Sequence, residues 1–343
     1  MFKGRLSKHP GSNGSVRGSL MLSLVLTLPI LFAACPKNES VGSPTAANSQ
    51  SSPSAGGTTS FSADRAMDHV KKQIEFGPRP PGSAELVKTR AYIIDQLNSS
   101  GLKVTTDEFR VSSPIGEKNL VNVIAEIPGD SKEVIMLTSH YDSKYYKDMH
   151  FVGANDPGSS VAELLELARV VAANHSKPKF TYWFVFFDGE EAFCKTWDEC
   201  SKPGAPDNTY GSRHFVENLK KSNETGRVRA MILFDMMGYK DLELGRDTMS
   251  TRWLQNIVWQ TGRELGYGNI FVDRDEGVGG DDHEPFLAAG IDSMDIIQLN
   301  SYEYWHTEQD TIDKVSGKSL KIVGDVIVAS LPKLEQYLAN HPR

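Results

Sequence analysis

Cysteine is scarce in this chain: Cys35, Cys194 and Cys200 are the only three in 343 residues. That is too few for the crosslinked scaffold of a small secreted domain, and an α/β domain of this size buries enough surface to fold without one. No long block of lysine or arginine occurs, and the formal net charge is -7. A basic face for phosphates is therefore missing, which excludes nucleic acid as a partner. Roughly the first sixty residues lack the apolar periodicity that builds a core, and no internal repeat divides the rest. One globular domain over residues 61–343 is the simplest reading.

Lys3, Arg5, Lys8 and Arg17 precede an apolar run from Leu20 to Ala34 that closes in small residues, the pattern of an export signal. The run is short for a bilayer-spanning helix; the alternative is an uncleaved membrane anchor. Ala33-Ala34-Cys35 resembles the end of a bacterial lipobox, in which the cysteine is acylated after cleavage, although Phe32 departs from the usual aliphatic residue. Residues 1–35 are thus expected to be a signal peptide of lipoprotein type. The protein is expected to be exported, periplasmic or at the cell surface, monomeric, and to meet the membrane only through this segment or a lipid on Cys35. Ser, Gly, Pro and Thr dominate residues 36–60, a composition that behaves as a flexible tether. With Cys35 set aside, Cys194 and Cys200 are left as a local disulfide or as a metal-binding pair, and no nearby His or Cys completes a tetrahedral set for the second.

Apolar residues recur at helical spacing from Ala63 to Phe76 and again from Ser83 to Ser99. Between them Gly77-Pro78-Arg79-Pro80-Pro81-Gly82 breaks the pattern, and Gly101 ends the second run as a left-handed cap. Strand patterns follow at Val104–Val111, Asn119–Ile127 and Val134–Ser139. Helices at Gly158–Asn174, Gly211–Leu219, Thr251–Leu265 and Ser316–Leu338 then alternate with strands at Phe180–Phe187, Ala230–Asp235 and Ser293–Leu299. This order predicts an α/β fold with a mixed, largely parallel central sheet and helices on both faces. Functional side chains are expected in the loops beyond the strand carboxyl ends.

Those loops hold the chemistry. The strand ending at Ser139 runs into His140-Tyr141-Asp142-Ser143-Lys144-Tyr145, and Asn155-Asp156-Pro157 stands at a helix start. The strand ending at Phe187 delivers Asp188-Gly189-Glu190-Glu191, two adjacent carboxylates that point apart and can divide the work of metal ligand and proton carrier. Asp235 ends another strand, Asp281-Asp282-His283 follows a glycine-rich loop, and Trp305-His306 lies late in the chain. Taken singly, Asp156 reads as a helix cap, Glu190 and Glu191 as solvated charges, Trp305 as a core aromatic and His306 as a surface histidine. Their shared position beyond strand ends is what overturns those readings.

These segments resemble the zinc aminopeptidase-like superfamily and, within it, the glutaminyl cyclases of animal type. The likeness spans roughly Phe61 to Leu338. It rests on the stretch from His140 to Tyr145, on Phe186 to Phe193, on Tyr210-Gly211-Ser212-Arg213-His214, on Asp281 to Phe286 and on Trp305-His306. The resemblance implies one zinc ion per chain, held by Asp156, Glu191 and His306. Glu190 is implied as general acid/base, Asp235 and Asp281 as a proton-sharing network beside it, and Trp305 as a pocket wall. The implied substrate is a peptide or protein with N-terminal glutamine, which becomes pyroglutamate with loss of ammonia. In that reading neighbouring Asp235 and Asp281 raise the pKa of Glu190, and His140 is structural or hydrogen-bonded.

Departures from the family pattern are visible. Ser139 and Val161 stand where animal cyclases carry a disulfide. The loop from Phe193 to Tyr210 is long and holds Cys194, Trp197 and Cys200, leaving the second pocket tryptophan unassigned, and Gly280 replaces a glutamine. The enzymatic rival is a two-zinc aminopeptidase, with His140, Asp156 and Asp235 on the second metal and Glu190 activating water. A tethered binding protein that has lost turnover is the non-enzymatic rival.

Overall fold

The computed structural model describes residues 59–174 and 177–343. The signal expected over residues 1–35, with Cys35, and all but the last two residues of the tether expected over 36–60 lie outside the described residues. Helix α1 (Ala63–Phe76) starts where the Ser62 hydroxyl accepts the Arg65 amide, and stops at Gly77, whose φ of 97° few other residues adopt. Helix α2 (Ala84–Ser99) starts likewise, the Ser83 hydroxyl accepting the Leu86 amide.

Strands β1 (Lys103–Ser113), β2 (Gly116–Ile127), β3 (Val134–His140), β4 (Thr181–Phe187), β5 (Val228–Asp235) and β8 (Ser293–Ile297) form one sheet in the order β1-β2-β4-β3-β5-β8. β1 and β2 are antiparallel and β2 joins β4 antiparallel, whereas β4, β3, β5 and β8 run parallel. The expected mixed, largely parallel sheet is what forms.

The central strands read as unbroken apolar runs because both their faces are covered. Ile135, Leu137, Tyr182, Phe184, Phe186, Ile232 and Phe234 turn to one face, under α1, α2, α3 (Gly158–Asn174), α5 (Arg252–Glu264) and α7 (Gly317–Asn340). Their alternates Val134, Met136, Trp183, Val185, Phe187 and Leu233 turn to the other, under Phe215, Val216 and Leu219 of α4 (Tyr210–Lys221) and Phe286 of α6 (Glu284–Ala288). Truncating a fully buried residue such as Phe184 is expected to cost about 3–5 kcal/mol.

Two strands have no counterpart in the sequence expectations: β6 (Leu244–Asp247) and β7 (Phe271–Glu276) pair in parallel as a separate ribbon. β6 has four residues, and β7 carries Asp273, Arg274, Asp275 and Glu276, so neither shows the alternation that marks a strand. Because β4, β3, β5 and β8 are parallel neighbours, their carboxyl ends share one edge of the sheet. The loops there bring Glu190 and Glu191, His140 and Asp235 side by side.

Candidate active site

Asp142 organises the floor. Its Oδ1 accepts the amides of Gly189 (2.8 Å) and Glu190 (3.1 Å), and its Oδ2 that of Glu191 (3.3 Å). One carboxylate thereby fixes the turn from which Glu190 and Glu191 diverge. The loop before α3 is fixed from two sides. Asp310 accepts the amides of Asn155 (2.8 Å) and Asp156 (3.1 Å), while the fully buried Arg79 donates to the carbonyls of Val152 (2.7 Å) and Gly153 (3.1 Å). Gly153 is required there: its φ is 54°, and a Cβ would stand 1.9 Å from the Asp156 carbonyl oxygen. The segment Gly77–Gly82, a loop breaker in sequence, thus supplies the guanidinium that holds the Asp156 loop.

His306 arrives last in the chain with its backbone in the left-handed region, φ 56°, a conformation that costs a non-glycine residue roughly 1–2 kcal/mol. Tyr146 donates to its carbonyl oxygen (3.3 Å), and its ring meets Phe151 edge-on and stacks on Trp305. Its Nε2 lies 3.0 Å from Glu191 Oε1 and 3.3 Å from Asp156 Oδ2. Burial alone would lower the imidazole pKa, but Glu191 and Asp156 outweigh it and hold it up at about 9. His140 and His306 together keep Asp156 ionised well below the usual carboxylate range, against its burial.

The other side of the cavity is made of carboxyl groups. Asp235 lies 3.2 Å from His140 Nε2, which is also 3.3 Å from Asp156 Oδ1. Asp281 pairs with Asp295 of β8, carboxyl to carboxyl, and both are pushed up, first by burial. Two such groups in contact share a proton. Glu190 is also pushed well up, with burial the first cause, Asp281, Glu191 and Asp282 adding and His140 opposing. The sequence expectation gave that role to Asp235 and Asp281; removal from water comes first.

Asp156, Glu191 and His306 offer one ligand atom each within 4.8 Å of one another, as do His140, Asp156 and Asp235. Glu191 Oε2 is buried without a hydrogen-bond partner, 3.7 Å from the ammonium of buried Lys144. Two carboxylates and an imidazole are donors that zinc accepts in a catalytic site, so the residues present fit that ion.

All seven expected residues, Asp156, Glu190, Glu191, Asp235, Asp281, Trp305 and His306, line one cavity of about 220 Å³, closed further by Trp197, Met236, Val278, Ile297 and Leu299. Outside the cavity, Arg213 donates to the carbonyls of Pro206 and Asn208, and His214 meets Asp107. His283 lies 3.2 Å from Asp247 at the end of β6.

A model of peptidase family M28 matches residues 122–331, more than half of the chain. The chain belongs to peptidase family M28. Among M28-like proteins it is similar to a glutaminyl-peptide cyclotransferase of Dictyostelium discoideum, 28% identical over 77% of this chain and 84% of that protein. The structure of Acidobacteriales bacterium glutaminyl cyclase matches with a TM-score of 0.75 at 32% identity, covering 84% of this chain and all of that one. A leucine aminopeptidase precursor of Bacteroides thetaiotaomicron matches with a TM-score of 0.72 at 29% identity, covering 80% and 98%. Cyclases and an aminopeptidase thus share this M28 scaffold, and the site has to discriminate between them.

Two residues of this M28 site escaped the sequence reading, and a third, Trp197, was named there without a role. Asp295 had a signal: a lone charge inside Ser293-Met294-Asp295-Ile296-Ile297, which otherwise reads as a buried strand. Asp310 had none, standing among polar neighbours in a loop. Trp197 lies in a loop whose path only the fold reveals.

Proposed function

We propose that this M28 chain is a zinc-dependent glutaminyl-peptide cyclotransferase, an acyltransferase that converts the N-terminal glutamine of a peptide or protein to pyroglutamate and releases ammonia. The cavity carries this reading beyond the family. Its volume of about 220 Å³ falls below the ~300–1,000 Å³ of sites for drug-sized ligands and suits one side chain folded back on its own amine. Two tryptophans and aliphatic side chains wall it, and Glu190 stands at the floor beside the donor set.

The substrate's α-amine is its own nucleophile, so the protein supplies conformation and proton transfer. The α-nitrogen bonds to the side-chain amide carbon, the bond from that carbon to the amide nitrogen breaks, and ammonia leaves. Glu190 accepts a proton from the α-amine and delivers it to the departing nitrogen. Burial raises its proton affinity, which favours accepting that proton. Asp281 and Asp295, sharing a proton, keep the wall beside Glu190 from accumulating charge. Trp305 and Trp197 exclude water from the folded-back glutamine. One zinc ion held by Asp156, Glu191 and His306 would polarise the amide oxygen. In this proposal His140 ties Asp156 to Asp235 and stays off the metal.

The second donor group of His140, Asp156 and Asp235 favours one alternative, a two-zinc aminopeptidase. Incubating zinc-loaded protein with a short Gln-initiated peptide separates them. Ammonia with an otherwise intact chain is the cyclase result; loss of the first residue, with two zinc ions per chain, is the aminopeptidase result. Export through residues 1–35, with a lipid on Cys35 and a monomeric enzyme outside the cytosol, is proposed on the charged and apolar pattern of that segment. Retention in the membrane fraction that Cys35→Ala abolishes is its test.

A further inference from the structure

The loop after Glu191 starts on buried Ala192 and on Phe193, which packs with Leu120 and Tyr210, and loses apolar anchorage beyond them. Its base is tied to the catalytic turn, Thr209 donating to the Glu190 carbonyl (2.7 Å) and Tyr210 to that of Gly189 (2.8 Å). Asp207 clamps its start, accepting the Cys194 amide (2.9 Å) and the Tyr210 hydroxyl (2.7 Å). Between these ties Lys195, Thr196, Asp198 and Glu199 are exposed, and no core holds them. Trp197, in their midst, nevertheless lines the cavity. Its indole lies over Gly280: a Cβ there would stand 3.2 Å from Trp197 Nε1. Its carbonyl accepts from Asn208 (3.3 Å). What closes the loop around it is the disulfide between Cys194 and Cys200, six positions apart with Cα atoms 6.0 Å from each other.

We propose that the Cys194–Cys200 disulfide is a positioning device for the substrate pocket: it holds Trp197 over the bare surface of Gly280 as a wall of the cavity, and so sets substrate affinity. The proposal rests on the cyclase reading for its substrate. A crosslink removes open conformations of the loop before substrate arrives, and a wall already in place spares binding the cost of ordering it. Glu190 is held through its amide by Asp142 and Asp235 ends β5, so neither depends on this loop for its position, and the effect falls on KM rather than kcat. Gly280 belongs to the same device, because a Cβ there would stand 2.8 Å from Glu284 Oε2 and 3.2 Å from Trp197 Nε1, and both would have to shift.

The test uses the full catalytic domain, zinc-loaded. In Cys194→Ser/Cys200→Ser, KM for a Gln-initiated peptide should rise roughly tenfold, with zinc content unchanged and kcat reduced much less. A non-chelating phosphine reductant should reproduce the rise in the parent and have no effect on the double variant. Trp197→Ala should raise KM similarly, and adding the two serines to it should raise KM no further. Loop position is read without turnover by acrylamide quenching of Trp197, taken as the difference between the parent and Trp197→Ala. Reduction should expose the indole. Unchanged KM in the double-serine variant, or additivity with Trp197→Ala, overturns the proposal. If the parent releases no ammonia, the cyclase reading falls instead, and quenching alone decides the role of the disulfide: exposure on reduction supports it, and no change overturns it.

Discussion

On the side of the cavity that carries His306, Asp156 and Glu191 face an imidazole, and Asp156 stays ionised although buried. On the side that carries Asp281 and Asp295, two equally buried carboxyls face each other, and both hold their protons more tightly. Burial disfavours the charged carboxylate on both sides; for Asp156 two histidines outweigh it, whereas for Asp281 and Asp295 burial prevails. One side is therefore suited to hold a cation and the other to hold a proton. Glu190 stands between, attracted by His140 and repelled by Asp281, and a group so placed can exchange a proton without a large change in surrounding charge. The histidines repeat the lesson. His306, between two carboxylates, is raised to about 9, whereas His69 of α1, bonded to the neutral Tyr92 hydroxyl, is lowered to about 4 by burial, which outweighs Glu166.

The largest effect should come from removing the proton carrier while leaving the cation side intact. Glu190→Gln is expected to lower kcat by roughly a thousandfold or more, with zinc content, read by elemental analysis, unchanged. Zinc lost along with activity would mean the two sides are not separable. The mirror experiment is His306→Ala, which should release zinc and activity together; a chelator should do the same to the parent, with activity restored by added zinc.

Next in size is the support of the cation side. Asp310→Ala leaves the amides of Asn155 and Asp156 without their acceptor and should weaken zinc binding by roughly 10–100-fold, measured by competition with a chelating dye. On the proton side, Asp295→Ala removes the partner of Asp281 and should lower kcat roughly tenfold at constant zinc content. Asp295→Asn, whose amide donates to Asp281, should recover most of that loss. Equal activity of Ala, Asn and parent would show that the carboxyl pair is not used.

The smallest effect lies outside the cavity and concerns stability alone. The folded-state pKa of His69 is depressed to about 4 from 6.5, so its contribution is complete above pH 6.5 and is lost as the pH falls toward 4, where the unfolded chain binds a proton the fold refuses. Denaturant titrations across that window should show a loss of about 3 kcal/mol, which His69→Gln should largely remove.

Much of this was legible in the chain. The helices from Ala63 to Phe76 and from Gly158 to Asn174 coincide with their sequence limits because periodicity and breakers agree at each end. The seven site residues were legible because each follows a strand or stands in a motif. β6 and β7 were not, since a ribbon of two short polar strands is stabilised by pairing that no local pattern announces. Asp295 was hidden inside a strand, and Arg79 inside a segment that reads only as a bend. Asp142 stood in a quoted motif without any sign that it would cap a distant turn.

By itself the sequence determined the fold class, the order of the strands of the main sheet and the seven expected residues that line the cavity, because these follow from local periodicity and from residue types at strand ends. Only the tertiary structure decided how deeply each carboxylate is buried and whether a histidine outweighs that burial, as for Asp156 but not for Asp235, and these set the protonation states in the cavity. It also decided that Trp197 reaches the pocket. The physical reason is the same in both cases: pKa and pocket shape depend on contacts between segments far apart in the chain, made when four parallel strands bring their carboxyl ends to one edge.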